Sequence, residues 1–183
     1  ALASGRGPDV FYIGNRDLLM EANKITPADP AQFNTLSLRE IFPSVIEEDF
    51  VLRGKIGALP LYLDTMAMIY NRDIFDQAGI ATIPKTWEEF LKILPRLREL
   101  GPGGQITRAA AAIGGSEKSV DAGVDLLSLL MLQNGAEMNN AEKTGVTFAG
   151  LGASGFRAFD FYLQFANAAS GYFTWTDAQP NSV

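Results

Sequence analysis

Residues 59–90 run LPLYLDTMAMIYNRDIFDQAGIATIPKTWEEF, and several kinds of structural signal follow one another in that stretch. The apolar runs Ile56–Pro60 and Thr65–Tyr70 are separated by Leu61-Tyr62-Leu63-Asp64, which predicts two extended segments meeting at a Pro-containing joint. Arg72 to Ala78 reads as a short helix stopped by Gly79, a residue able to take the left-handed conformation that ends helices. Thr86 and Glu89 have capping-box spacing, and Phe90, Ile93, Leu94 and Leu97 give the following helix one apolar face. Asp64 is a lone carboxylate inside the apolar joint. Its burial would require donors, either backbone N–H groups or the hydroxyls of a ligand.

Upstream, Asp9–Ile13 (D-V-F-Y-I) is a short apolar run after Gly7-Pro8 and predicts a buried, parallel-type strand. Gly14-Asn15-Arg16-Asp17 follows as a turn, with Asp17 placed to cap a short helix through Ala22. A further helix is expected over Ser37–Phe50, with Leu38, Ile41, Phe42 and Val45 inward and a kink at Pro43. Downstream, Ile106–Ile113 reads as a strand. Val124–Leu132 is apolar nearly all round and is expected to be a buried helix. A strand at Val146–Phe148 precedes a helix over Ser154–Ala166 whose inner face would carry Phe156, Phe159, Leu163 and Ala166. The tail holds Tyr172, Phe173 and Trp175. Strands alternating with helices make the class α/β.

The 183 residues are 47% apolar and 20% charged, an ordinary globular balance, with a net charge of −6. An acidic chain gains nothing from phosphate attraction, so nucleic-acid binding is not expected. Cys and His are both absent. Disulfides, thiolate nucleophiles, imidazole bases and the usual zinc ligands are therefore excluded, and no cofactor is expected. No run approaches the roughly 20 apolar residues that span a bilayer. Ala1–Gly5 reads as the end of a helix begun upstream and Pro180–Val183 as a turn awaiting another helix, so the expectation is an internal piece lacking both ends.

Four stretches together are similar to one known family: Gly7-Pro8-Asp9-Val10-Phe11-Tyr12, Leu59 to Thr65 running on to Ile69–Phe75, Gly79-Ile80, and Pro84-Lys85-Thr86-Trp87-Glu88-Glu89-Phe90. They resemble the carbohydrate-type extracellular solute-binding proteins of bacterial ABC importers, and the likeness continues more weakly through Gly135 and Phe159 to Trp175. The resemblance implies a periplasmic-binding-protein-like two-lobe α/β fold, here truncated. Residues 1–62 would be part of the first lobe, 63–65 a hinge crossing and 66–183 most of the second lobe. It further implies a non-enzymatic role: a small solute, a sugar first, held in the interlobe cleft and delivered to an ABC permease in the membrane. The location implied is the periplasm or the extracellular face of the membrane, with a lipid anchor on a missing N-terminal segment.

Ligand-binding candidates follow from that frame and from side-chain chemistry. Asn15, Arg16 and Asp17 stand after the first predicted strand, where α/β sheets bind ligands and where amide and carboxylate oxygens can hold adjacent hydroxyls. Asp64, with Tyr62 and Thr65, occupies the joint. Gly115 and Ser116 follow the Ile106–Ile113 segment and offer backbone N–H groups, and Trp175 offers an indole face for stacking on a sugar ring. An alternative is a nucleotide-binding enzyme. Gly150–Gly155 is a G-x-G-x-x-G between a short strand and a helix, and Asp177 lies about twenty residues on, where a ribose carboxylate belongs. Asp121 and Asp125, one helical turn apart, read as a solvated face rather than a catalytic pair.

Overall fold

The computed structural model describes residues 4–141, 144–150 and 154–180. The chain divides into two compact units, Ala1–Thr65 and Met66–Val183.

The first unit contains α1 (Asn15–Leu18), a 3-10 turn (Ala22–Lys24), α2 (Thr35–Ile41), α3 (Val45–Phe50), β1 (Val51–Leu52) and β2 (Lys55–Ile56). The Asn34 side chain caps α2 by accepting from the N–H groups of Leu36 and Ser37 at 3.0 and 3.1 Å. The single helix expected over Ser37–Phe50 is two. Phe42 is extended (φ −120°, ψ 152°) because Pro43 disfavours the helical conformation of the residue before it. α2 and α3 close on each other through buried Leu38, Ile46 and Ile56, and Arg39 grips Glu47 through two bonds of 2.5 and 2.6 Å. β1 and β2 are antiparallel, with Val51 opposite Ile56 and Leu52 opposite Lys55. Arg53 and Gly54 between them both have positive φ (52° and 77°), the conformation of a type I′ turn.

The strand expected over Asp9–Ile13 is not formed, and Val10 is 87% exposed. A strand exists by pairing its N–H and C=O groups with a neighbour, and among the described residues none pairs with this run. Asp17 does not cap α1 either. The cap is Gly14, without a side-chain bond, and Asp17 sits in the first helical turn.

The second unit contains α4 (Arg72–Gln77), α5 (Trp87–Leu97), β3 (Glu99–Leu100), β4 (Ile106–Arg108), α6 (Gly123–Gln133) and α7 (Ser154–Leu163). α4 ends as its sequence predicts, with Gly79 at φ +64°. The capping signal at α5 is realised with a one-residue offset. Thr86 Oγ1 accepts from Glu89 N at 3.2 Å, while the Glu89 carboxylate accepts from Lys85 N at 2.7 Å. The apolar face of α5 joins α6 and α7 in one core built on Phe90, Leu94, Leu130, Ala158, Tyr162 and Phe165. Trp87, Phe161 and Phe165 meet edge to face within it, with centroids 5.7 and 5.2 Å apart.

Four expectations change in this unit. The strand over Ile106–Ile113 shortens to β4, antiparallel to β3, because the N–H groups of Ala110 and Ala111 bond the Thr174 hydroxyl instead of a ladder. Val146–Phe148 forms only an isolated bridge from Val146 to Asn139. α6 is not buried all round, since Val124 and Leu132 are exposed. α7 is rotated from the expected phase, with Phe156, Phe159 and Leu163 outward and Gly155, Ala158 and Tyr162 inward. Small residues decide that phase. A Cβ on Gly155 would stand 2.4 Å from the Phe148 carbonyl oxygen, an approach only glycine allows. Helices with short antiparallel pairs, rather than a parallel sheet, are therefore what the described residues form.

Candidate functional site

The segment after α7 is laced into the second unit by hydrogen bonds. The Phe165 carbonyl accepts from Thr174 N at 2.8 Å and Trp175 N at 3.2 Å. The fully buried Thr174 hydroxyl accepts from Ala110 N at 2.8 Å and Ala111 N at 3.3 Å. These bonds fix the tail against the chain leaving β4 and bring Asp177 to the loop Gly114–Ser119.

That loop depends on two glycines. Gly114 has φ +103°, and a Cβ there would lie 2.8 Å from both Ala166 N and Phe165 Cβ. A Cβ on Gly115 would lie 2.2 Å from Ser119 Oγ and 2.9 Å from Trp175 Cδ1. The Gly115 carbonyl accepts from the Tyr162 hydroxyl at 2.6 Å. Asp177 Oδ1 accepts from Ser116 N at 2.7 Å and from the buried Ser119 hydroxyl at 2.8 Å, and Oδ2 accepts from the Ser116 hydroxyl at 2.7 Å. The Ser116 hydroxyl and N–H, followed by the Ser119 hydroxyl, hold the Asp177 carboxyl below the usual aspartate range. Burial pushes the Tyr162 hydroxyl above the usual tyrosine range.

A cavity of about 700 Å³ opens beside this loop. Val124, Leu127, Phe159 and Leu163 of α6 and α7 form an apolar wall, and Ser116, Lys118 and Asp177 lie on its polar edge. Such a lining suits a compound with an apolar face and a hydrogen-bonding rim.

The sequence candidates fall into separate groups. Gly115 and Ser116 line the cavity. Trp175 packs against Gly115 rather than on the cavity wall, and its buried Nε1 has no hydrogen-bond partner among the described residues. The expected stacking face is therefore not presented to the cavity. In the first unit Asn15 Nδ2 donates to Asp49 Oδ2 at 2.9 Å, with Arg16 and Asp17 exposed on α1. The Tyr62 and Tyr12 hydroxyls are hydrogen-bonded at 2.9 Å. Asp64 is exposed, not buried, and its Oδ1 accepts from the N–H of the neighbouring Thr65 at 2.8 Å. An exposed carboxylate needs no ligand to satisfy it, so the burial argument does not hold at this position.

Tyr162, Ser119 and Asp177 escaped the sequence reading of this site. A Gly-Gly pair followed by serines three apart was the available signal, since side-chain hydroxyls in that spacing favour a tight turn. Of the glycine motif, Leu151, Gly152 and Ala153 lie outside the described residues. Gly155 packs on the Phe148 backbone, and the Asp177 carboxylate that a ribose would require is bound to Ser116 and Ser119.

The profile of the family described as bacterial extracellular solute-binding protein matches residues 1–182. A Brucella abortus protein provisionally named as a binding protein is 29% identical over 102 residues, 55% of this chain and 24% of its own length. The maltotriose-binding protein of Pyrococcus abyssi is 31% identical over 101 residues, 52% of this chain and 20% of its own. The diacetylchitobiose binding protein DasA of Streptomyces coelicolor is 30% identical over 99 residues, 54% of this chain and 23% of its own. The matched stretch thus spans less than a quarter of each relative. No solved structure matches the chain.

Proposed function

The chain belongs to the bacterial extracellular solute-binding proteins, and from that premise we propose that it captures a small polar solute, a carbohydrate first, for delivery to an ABC permease. The observation that carries this reading is the cavity of the second unit, with an aliphatic and aromatic wall facing a rim of hydroxyl, ammonium and carboxylate groups. A pyranose has an apolar face and an equatorial fringe of hydroxyls, which is the complement of that lining. Two matched relatives are named for saccharides, one for maltotriose and one for diacetylchitobiose.

In this reading residues 1–62 belong to a first lobe, 63–65 to a hinge crossing and 66–183 to a second lobe of a periplasmic-binding-protein-like fold. Gly115 and Ser116 would meet the solute from one side, with Asn15, Arg16, Asp17, Tyr62, Asp64 and Thr65 supplying polar contacts from the other. Closure about the hinge turns contacts on both walls into a sequestered state, provided the solute prefers the closed form. The family is extracellular; attachment through a lipid on a segment preceding this chain is part of the proposal.

Calorimetry of the complete protein against maltotriose, diacetylchitobiose and a panel of polar metabolites tests the reading. A saccharide is expected to bind with measurable heat, and Asp64→Ala to weaken it. Binding confined to non-carbohydrate metabolites would overturn the sugar assignment. Turnover of a glycoside or nicotinamide substrate that one point substitution abolishes would overturn the binding-protein reading itself.

A further inference from the structure

We propose that Asp177 is the positioning residue of this cavity: through Ser116 and Ser119 it holds the Gly114–Ser119 loop in the shape that makes the polar rim, and its protonation releases the loop. The inference rests on the cavity's being the solute site for its functional meaning, but the clasp itself stands on geometry alone.

Asp177 is fixed from behind and engaged in front. Behind it, Thr174 and Trp175 tie the tail to Phe165 and to the chain leaving β4. In front, both carboxylate oxygens accept bonds from the loop, two of them from Ser116 alone. The loop is a tight turn closed by Ser119 N and Val120 N on the Ser116 carbonyl, at 3.0 and 2.9 Å. Its shape therefore hinges on the residue that Asp177 grips.

The same bonds define what Ser116 can offer a solute. Its hydroxyl hydrogen points at Asp177, its N–H does likewise, and its oxygen also accepts from Lys118 N at 3.3 Å. The residue that lines the cavity is thus locked in orientation by one that acts through it. Ser119 is fully buried, so its hydroxyl reaches the cavity only by way of the carboxylate.

Protonation weakens this arrangement, because one carboxyl oxygen then carries a hydrogen in place of an accepted bond and the charge that strengthens the bonds from Ser116 and Ser119 is lost. Among the described residues, Lys118 from the loop and the Tyr162 hydroxyl from α7 interact with the Asp177 charge, and Glu117 lines the same cavity. Lys118 favours the carboxylate. The carboxyl lies below its ordinary range, so the clasp is complete above that range and is lost as pH falls through the lowered value.

The test uses the whole chain carrying Trp87→Phe, which leaves Trp175, in contact with Gly115, as the one indole. Trp175 emission is followed from neutral to acid pH beside far-UV circular dichroism, and backbone exchange of Ser116 and Ser119 is followed by NMR. The expected result is an emission step below the ordinary aspartate range that Asp177→Asn abolishes. Ser119→Ala should move the step toward higher pH, because it removes a donor that favours the carboxylate. In Asp177→Ala the Ser116 amide should lose about fivefold in protection, the weight of one net hydrogen bond. Should Asp177→Ala not fold, Asp177→Asn and Ser119→Ala decide by the same readouts.

Superimposable emission profiles for the parent and Asp177→Asn, or unchanged Ser116 protection, would overturn the proposal. A maltotriose and diacetylchitobiose arm separates it from the functional reading. Weakened saccharide binding by Ser119→Ala supports positioning, since a fully buried hydroxyl cannot touch solute. If the parent chain and the complete protein bind no saccharide, the sugar reading fails while the clasp is still judged by emission and exchange.

Discussion

The Tyr162 hydroxyl donates to the Gly115 carbonyl at 2.6 Å, so a single hydrogen bond from the inner face of α7 supports the loop at the edge of the cavity. Tyr162→Phe keeps the ring and its packing but leaves that carbonyl without its donor. The expected cost is about 1–3 kcal/mol, measured by urea unfolding. Because burial raises the Tyr162 hydroxyl above the usual range, stabilisation from its neutral form is complete below a pH of about 10 and is lost as pH rises through the raised value. The parent should lose stability in that alkaline window faster than Tyr162→Phe.

Gly114→Ala combines a left-handed backbone with a collision. Its φ is +103°, and the new methyl would meet Ala166 N and Phe165 Cβ at 2.8 Å. The two penalties together are expected to cost about 3 kcal/mol or more. Gly135 has φ +75° but open space around it. Gly135→Ala should therefore show the conformational part alone, about 1 kcal/mol. Equal losses for the two in thermal unfolding would show that crowding at Gly114 is relieved by movement.

Thr174→Val removes an acceptor without changing shape. The buried Thr174 hydroxyl serves Ala110 N and Ala111 N, and valine leaves both N–H groups orphaned. A loss of about 2–3 kcal/mol is expected, with Thr174→Ser recovering most of it. Thermal melts of the three chains check this.

Arg53 is the non-glycine residue with positive φ among the described residues, 52° at the first turn position of the β1–β2 hairpin. Side chains with a Cβ disfavour that conformation, but asparagine tolerates it and is preferred before glycine in type I′ turns. Arg53→Asn is expected to stabilise the first unit by about 0.5 kcal/mol, and Arg53→Val to destabilise it. A lower denaturation midpoint for the asparagine variant would contradict the turn assignment.

Local signals were legible in the sequence, and long-range ones were not. Thr86 with Glu89, and Gly79 behind α4, announce helix ends because capping chemistry is settled within a turn of the chain. The run at Asp9–Ile13 has a strand's composition, but whether it becomes one depends on partners elsewhere. α7 and the turn that follows it carry apolar residues on two adjacent faces, Phe156-Phe159-Leu163 and Ala158-Tyr162-Phe165. Periodicity alone cannot rank them, and the contact of Gly155 with Phe148 does. Gly115 and Ser116 were recognisable by their place after the Ile106–Ile113 segment. Their partner Asp177 was not, because nothing near residue 177 points across the sequence to Ser116.

Every residue from 61 to 70 is exposed, Ile69 at 94%, and within this run of Leu, Tyr and Met the one charge is Asp64. Solvent-exposed apolar surface of this kind favours association between chains, and a carboxylate in its middle opposes stacking with copies of itself. Colloidal stability then rests on mutual repulsion between molecules carrying a net charge of −6. Salt screens that repulsion over a distance of about 8 Å at physiological ionic strength. Concentrated stocks should thus cloud on adding sodium chloride or on approaching the isoelectric point near pH 4.7, and Asp64→Asn should cloud first.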